Sequence, residues 1–467
     1  MGQWRADEAW ARNSNELFNL HRISLPLAAV FIVETLMAFT DRVIVGRLGT
    51  DELAALGLTT RVAGDVTYVV CLCILSIGNV LAARALAAND EATVGAIVRH
   101  SLFLALLLSV PVTGLIYNIE PMLNIFGQPP NVSKLAGVYG RAAAWSVLPL
   151  VWFCVLRDFR AVLSNLRSVV FLILAAALAN AFLASTLVYG LYGFPKLGIL
   201  GAGIGTSMVA WGLLATEVLS QIRKPMTSSI RFLFAPYKRN SALIGSYFNL
   251  GLPVAANSAA QTSLWLTLNL LVGSFGATAQ AANQIVLGIV TLVFMVPEGV
   301  REAVTIRAAH HDGHSDFTAV FRAALLAGLS NACFLLPFSV LMLLAPNLLA
   351  SVFVDTSLHA NADVLSISKV LFSIAAVYQI VDGVQIALIG TLKGLGDTRA
   401  PFVIGIFGYL LVGIGFGSAL AFGLSLGPSG LWIGLALGIL TTSSLLFNRL
   451  RTLTKRRLHD PLASAGG

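Results

Sequence analysis

Charge is what this chain has least of. Only 11% of its 467 residues are Asp, Glu, Lys or Arg, while 57% are hydrophobic and the mean hydropathy is +0.83. A soluble domain carries about 25% charged residues to cover its wet surface. A chain with less than half of that along nearly its whole length is excluded as a soluble enzyme, a nucleic-acid-binding domain or a singly anchored receptor. Cysteine is scarce as well. Cys71, Cys73, Cys154 and Cys333 all fall in apolar runs, so they read as small buried hydrophobes and not as a disulfide framework. No cleavable leader is evident, because Arg5, Asp7, Glu8, Arg12 and Glu16 interrupt the first twenty residues and no apolar core precedes Ile23. Trp4, Trp10, Leu17, Phe18 and Leu20 leave room there for a short interfacial helix or for a solvated tail. Histidine reaches the apolar runs only near their ends, which leaves a membrane-embedded transferase or hydrolase without its convergent groups. No GxxxxGK[ST] phosphate loop occurs, so an ATP-driven pump would need a partner subunit to bring its ATPase.

What is present is a series of long apolar runs. A spanning helix needs about 20 mostly apolar residues, and on that measure about twelve are found. They lie at 23–46, 54–86, 96–118, 137–156, 168–190, 200–222, 244–273, 279–306, 319–345, 366–391, 400–423 and 429–448. Strand-like alternation is absent and the runs are too long for an outer-membrane barrel. The basic residues test this reading. With the N-terminus in the cytoplasm, Lys and Arg concentrate in cytoplasmic segments. The exceptions are Arg42, Arg47, Arg61, Lys134, Arg141, Lys196, Arg301 and Lys369. That asymmetry fits an even number of spans with both ends inside. The net charge of +8 then reflects basic loops facing an anionic leaflet, with no nucleic-acid partner. The expected fold is an all-α polytopic membrane protein. Its parts are a cytoplasmic tail 1–22, a six-helix lobe 23–225, a cytoplasmic linker 226–243, a second six-helix lobe 244–450 and a cytoplasmic tail 451–467.

The second half repeats the first. At a shift of 227 residues Pro26 falls on Pro253, Thr35 on Thr262, Gly46 on Gly273 and Gly49 on Gly276. At a shift of 223 Arg84 falls on Arg307 and Arg99 on Arg322, and at 229 Gly201 and Gly205 fall on Gly430 and Gly434. Six spans separate the copies, so both start on the same side of the membrane, as parallel repeats do. Two parallel six-helix bundles suit a transporter better than a membrane enzyme.

Ionisable groups inside spans cost about 2.5–3.5 kcal/mol each on insertion scales, so each needs a reason. Glu34 and Asp41 share a face of the first span, two turns apart, with Pro26 two turns before Glu34. Asp41 is read either as an ion-coupling acid or as the partner of Arg42 or Arg61. Arg61 and Asp65 read as a local i, i+4 pair. The eighth span holds Glu298, Arg301 and Glu302 after Pro297, and Arg301 can pair with either acid. In the tenth span Tyr378, Gln379, Asp382 and Gln385 put an acid among amides with no basic residue nearby, the composition of a proton or cation site. Asn180, Ser185 and Thr186 of the fifth span, and Asn257, Gln261, Thr262 and Asn269 of the seventh, suit interhelical hydrogen bonds. Trp145, Trp152, Phe153, Trp265 and Tyr378 either line a cleft for flat cations or pack in the bilayer belt. HHDGH, from His310 to His314, reads as a solvated cytoplasmic loop.

Three blocks have a family look. Pro26–Leu58 (PLAAVFIVETLMAFTDRVIVGRLGTDELAALGL) resembles the first helix and loop of the multidrug and toxic compound extrusion (MATE) transporters. Leu250–Val286 resembles their seventh helix. Tyr378–Thr398 (YQIVDGVQIALIGTLKGLGDT) resembles the tenth helix of the NorM-like branch. The resemblance implies a V-shaped fold of twelve helices. It further implies export of lipophilic, cationic or otherwise toxic small molecules in exchange for protons or sodium ions, without a cofactor. On it, Asp41 matches the family acid of the first helix, Asn180 its companion and Asp382 the acid of the tenth helix. The chain departs in having Gln261 where the NorM-like branch has a glutamate, in Ala184 on the fifth helix, and in its charged eighth span, where Glu298 or Glu302 could serve instead. Glu34 joins Asp41, Asn180 and Asp382 as an ion-coupling candidate, and Gln261, Gln379, Gln385 and Tyr378 complete the candidate set for ion or substrate. The expectation is a monomer in the cell membrane (the inner membrane of a Gram-negative cell), surrounded by lipid, with both termini cytoplasmic. A flippase for a lipid-linked or anionic amphiphile is the alternative, kept open by Arg61, Arg141 and Arg301.

Overall fold

A computed structural model of the chain describes residues 2–222, 240–354 and 361–459. These residues form twelve long helices and, among them, no strand. The first six are α1 (Gly2–Gly46), α2 (Asp51–Ala87), α3 (Glu91–Tyr117), α4 (Pro130–Val162), α5 (Arg167–Tyr189) and α6 (Ile199–Ile222). Next come α7 (Ser241–Gly273) and α8, whose two arms are Ala277–Val293 and Met295–Gly313. The last four are α9 (Phe317–Leu344), α10 (Ala362–Gly394), α11 (Arg399–Gly423) and α12 (Pro428–His459). Ten of these are long and apolar enough to cross a membrane singly, and the arms of α8, bent by 40°, make an eleventh if the two form one span. The bend falls where Pro297 cannot donate to the carbonyl of Val293. α7 is 33 residues long, but Asn257, Gln261 and Asn269 dilute its apolar run.

Several boundaries differ from the sequence expectation, each for a physical reason. α1 begins at Gly2 and not near Ile23, because no Gly or Pro interrupts the chain between Gln3 and Leu25. Arg157 and Arg160, expected in a cytoplasmic loop, lie buried in α4, and Lys393 lies buried in the last turn of α10. Each is held by carboxylates from another helix. His310 and His311 form the last turn of α8 instead of a loop. Cys71 and Cys73 are buried as expected, but Cys154 is half-buried and Cys333 exposed, and all four are free thiols.

The internal repeat recurs in the helix ends. Gly46 and Gly273 close α1 and α7, and Gly49 and Gly276 precede the helices that follow. Asp90 and Asp316 cap α3 and α9, accepting from the backbone N–H of Thr93 (3.0 Å) and Ala319 (2.9 Å). Pro111 and Pro337 sit inside those two helices, and the short helices Ile119–Ile125 and Pro346–Ala350 follow them.

The chain divides into two compact units, one of Ala29–Ala255 and one of Met1–Ala28 with Ala256–Gly467. The divisions fall inside α1 and α7, whereas the sequence suggested the polar segment 226–243, of which 226–239 lies outside the described residues. The core of the first unit is built on Ile44, Leu56, Ile119, Tyr139 and Ala184. That of the second is built on Leu264, Phe372, Tyr378, Tyr409 and Trp432. In the second unit α11 and α12 meet backbone to backbone. A Cβ placed on Gly434 would lie 2.2 Å from the Cα of Gly417, so glycine is required at this crossing.

Candidate functional site

In the Ala29–Ala255 unit Asp41 is a buried acid whose partner is a neutral amide. α1 carries Asp41 one helical turn before Val45 and Ile44, which pack in the core, so its side chain is drawn inward. α5 presents Asn180, fully buried, whose Nδ2 donates to Asp41 Oδ1 at 2.6 Å. Asn180 Oδ1 has no hydrogen-bond partner among the described residues. Tyr139 of α4 lies within electrostatic reach of Asp41 and beside Thr206 of α6. The structure therefore joins Asp41 to Asn180, not to Arg42 or Arg61. Arg61 takes Asp65 at 2.8 Å. An acid and an amide in an apolar bundle can exchange one proton: the ionised carboxylate accepts from Asn180, while the neutral acid can donate to a lone pair.

Glu34 is separate from that pair. It is exposed on α1, and its Oε1 accepts from Arg157 Nη1 at 3.3 Å. Arg157 also donates to Asp158 at 3.0 Å and stacks 5.5 Å over the Phe31 ring. Sequence spacing alone missed Arg157, because it falls one residue past the apolar run counted for its span.

The other unit holds the tenth-span group. Gln379, Asp382 and Gln385 are all buried on α10. Gln379 donates to Ser339 Oγ at 2.8 Å and Gln385 to the Tyr409 hydroxyl. Their remaining carbonyl oxygens, Asp382 Oδ1 and the Tyr378 hydroxyl lack a hydrogen-bond partner among the described residues. Buried unpaired acceptors are costly and mark where a donor or a cation would be gained. Asn331 of α9 donates to the Gly383 carbonyl at 2.8 Å and braces the helix beside Asp382. Gln261 is half-buried on α7. Glu298 and Glu302 lie on α8 with Arg301 between them, at 2.7 and 3.2 Å, and Lys393 is 3.4 Å from Glu302. Neither acid is thus left over, contrary to the expectation that Arg301 would take only one.

The remaining groups resolve as structure. Tyr378 and Phe153 are core residues, Trp152 Nε1 donates to the Leu102 carbonyl, and Trp145 is exposed. Ser185 donates to its own helix at the Ala181 carbonyl. Asn269 of α7 accepts from Gln280, Asn283 and Gln284 of α8, at 2.9–3.0 Å, an interhelical bond of the kind expected. No group of three or more His, Cys, Asp or Glu among the described residues is arranged to hold a metal ion. Two clusters gave no signal in the sequence. Arg307 grips Glu16 at 2.9 and 2.5 Å beside His311, and Arg160 grips Glu217 at 2.9 and 3.0 Å.

Comparison with known proteins bears on the family and the fold. The family model described as MatE matches residues 26–186 and again 253–418, well over half of the chain and once per repeat. The Multidrug resistance protein NorM of Burkholderia vietnamiensis is 32% identical over 441 residues, covering 94% of this chain and 95% of its own. Among solved structures, a mutant of the Vibrio cholerae MATE transporter VcmN superposes with a TM-score of 0.86 at 15% identity, covering 96% of this chain and 98% of its own. A MOP superfamily transporter from Pyrococcus furiosus does so with a TM-score of 0.85 at 19% identity, covering 94% of this chain and 96% of its own. These two likenesses establish the fold.

Proposed function

From the premise that this chain belongs to the MatE family, we propose that it is a multidrug efflux transporter. It is a multi-pass membrane protein of a transporter family, and its substrates are small molecules. In the finer reading it is a secondary active antiporter that exports lipophilic cationic compounds in exchange for protons, or for sodium ions, by alternating access. It works as a monomer in the cell membrane, the inner membrane in a Gram-negative cell, with both termini in the cytoplasm.

One observation carries the reading: each unit keeps an acid inside an apolar bundle with no ion pair to it among the described residues. Asp41 is held by a neutral amide and Asp382 has an oxygen that no described residue satisfies. An acid kept in lipid at such cost is a functional group by default. Loading it with a cation removes its charge, and the conformations that bind the ion and the drug differ in affinity for each. That difference is the coupling. Asp41 with Asn180 is the first coupling site. Asp382, with Tyr378, Gln379 and Gln385 around it, is the second. The flippase reading finds no support in its three arginines. Arg61, Arg141 and Arg301 are each tied to a carboxylate, which leaves them no spare charge for an anionic headgroup.

The test is transport by purified protein in sealed vesicles under a proton gradient or a sodium gradient alone. Asp41→Asn should fold and still bind substrate but lose proton-driven export. Wild-type transport by that variant sinks the proposal. A chain that moves no lipophilic cation under either gradient sinks the antiport reading as a whole.

A further inference from the structure

The last helix, α12, carries two different faces to its end. One face is buried in its own unit: Leu446 and Leu450 pack with Val320 of α9 and with Leu388 and Leu392 of α10, and Thr454 continues that row. The opposite face is open. Leu440 and Leu445 are 49% and 39% exposed, and Arg451, Lys455 and Arg456 are exposed farther on. At 3.6 residues per turn these five fall within about 160° of arc, away from the buried row.

The basic residues of this stretch are sorted between the two faces. Arg449 donates to Asp397 at 2.7 Å, and Arg457 donates to Asp312 at 2.6 Å while lying 5.5 Å over the Phe317 ring. Both are used inside the unit. Arg451, Lys455 and Arg456 have no carboxylate within ion-pair distance among the described residues, and no Asp or Glu falls between Arg449 and His459. Arg399, the first residue of α11, is exposed beside them, since Asp397 just before it holds Arg449.

Depth decides what these cations meet. Leu445 precedes Arg451 by about 9 Å along the helix axis and Leu440 by about 16 Å. The hydrocarbon of one leaflet is about 15 Å deep. The two leucines thus span the depth of one leaflet, and the three cations stand at the level of its headgroups. A water-soluble acidic partner would touch the cations alone, and a zwitterionic lipid would match only the leucines. An amphiphile with a negatively charged head matches both.

We propose that the exposed face of α12 is a binding site for one anionic phospholipid. Its phosphate is held between Arg451 and Lys455, one turn apart, with Arg456 at the flank, and an acyl chain lies along Leu445 and Leu440.

The test is lipid retention by the full chain in mild detergent, read by native mass spectrometry. Dioleoylphosphatidylglycerol and dioleoylphosphatidylcholine are titrated separately. A cation beside an anionic headgroup is worth about fivefold in affinity, so three together are worth about a hundredfold. Wild type should retain phosphatidylglycerol in preference to phosphatidylcholine. Arg451→Gln with Lys455→Gln and Arg456→Gln should retain one phosphatidylglycerol fewer. The charge-conserving set Arg451→Lys, Lys455→Arg and Arg456→Lys should keep it. Leu440→Ala with Leu445→Ala should weaken retention, and glycerol 1-phosphate in excess should not displace the lipid. Equal melting midpoints in lipid-free detergent report that the variants fold alike. If the triple glutamine variant melts early, Lys455→Gln alone carries the test, with a loss of about fivefold. Wild-type retention in the folded glutamine variants overturns the inference, as does equal retention of the two lipids by wild type. Displacement by glycerol 1-phosphate also overturns it, because the site would then be one for a soluble phosphate.

Discussion

The Arg160–Glu217 pair is a buried ion pair between two helices, and breaking it should destabilise the fold. Arg160 on α4 is 3% exposed and Glu217 on α6 is fully buried, with Nη1 lying 3.0 and 2.9 Å from the two carboxylate oxygens. Arg160 Nε also donates to the Asn165 carbonyl at 3.0 Å, and its other nitrogen to Ser168. Glu217→Gln keeps the shape and removes the charge. A buried guanidinium is then left without a counter-ion, which costs about 3–5 kcal/mol. At roughly 2–4 °C per kcal/mol for a unit of this size, the midpoint of thermal unfolding should fall by about 6–20 °C. The double replacement Arg160→Met with Glu217→Leu removes both charges and should recover most of that loss, because a buried ion pair exchanged for apolar groups is close to neutral. The assay is thermal unfolding in one detergent at one pH. A single variant that melts within about 2 °C of wild type refutes the reasoning, since it would mean that water already reaches Arg160.

Other expectations follow from the same contacts. Gly434→Val should separate α11 from α12 and cost about 1–3 kcal/mol, read as lower yield and an earlier melt. Glu16→Gln loses the two-pronged grip of Arg307, so backbone hydrogen exchange should rise in the first turns of α1 and at the end of α8, and elsewhere stay as it was. Asp90 lies between spans, where its hydrogen bonds from Thr93 hold the carboxyl below its usual range. A depressed carboxylate stabilises the fold above its unfolded pKa and loses that effect as pH falls through its folded pKa. Asp90→Ala should therefore lower the melting temperature at neutral pH, with the gap to wild type closing as pH drops below the ordinary carboxylate range. Asn180→Ala removes the amide that donates to Asp41 and should slow proton-driven export while leaving substrate binding near wild type.

The helices were legible because bilayer thickness makes an apolar run of the right length almost a structure in itself. The repeat was legible in Pro26 and Pro253 and in Gly46 and Gly273, since proline and glycine mark helix geometry that both copies must share. Ion pairs between helices were not. Lys393 is 91 residues from Glu302 and was counted as a cytoplasmic cation because it falls two residues past its apolar run. Arg157 was misplaced the same way. In both cases a helix continues past the apolar stretch and carries its basic residue back into the protein, to a carboxylate that spacing along one chain cannot reveal. Asp41 and Asn180, 139 residues apart, were joined only through the family resemblance.

The central claim is that a buried acid couples ion movement to export. It is met most directly by following the efflux of ethidium from sealed vesicles containing the wild-type chain or Asp41→Asn, under an imposed proton gradient and again under sodium. The account predicts gradient-driven movement by wild type and none under the proton gradient by a folded, ethidium-binding Asp41→Asn. Equal proton-driven rates for the two proteins would contradict it.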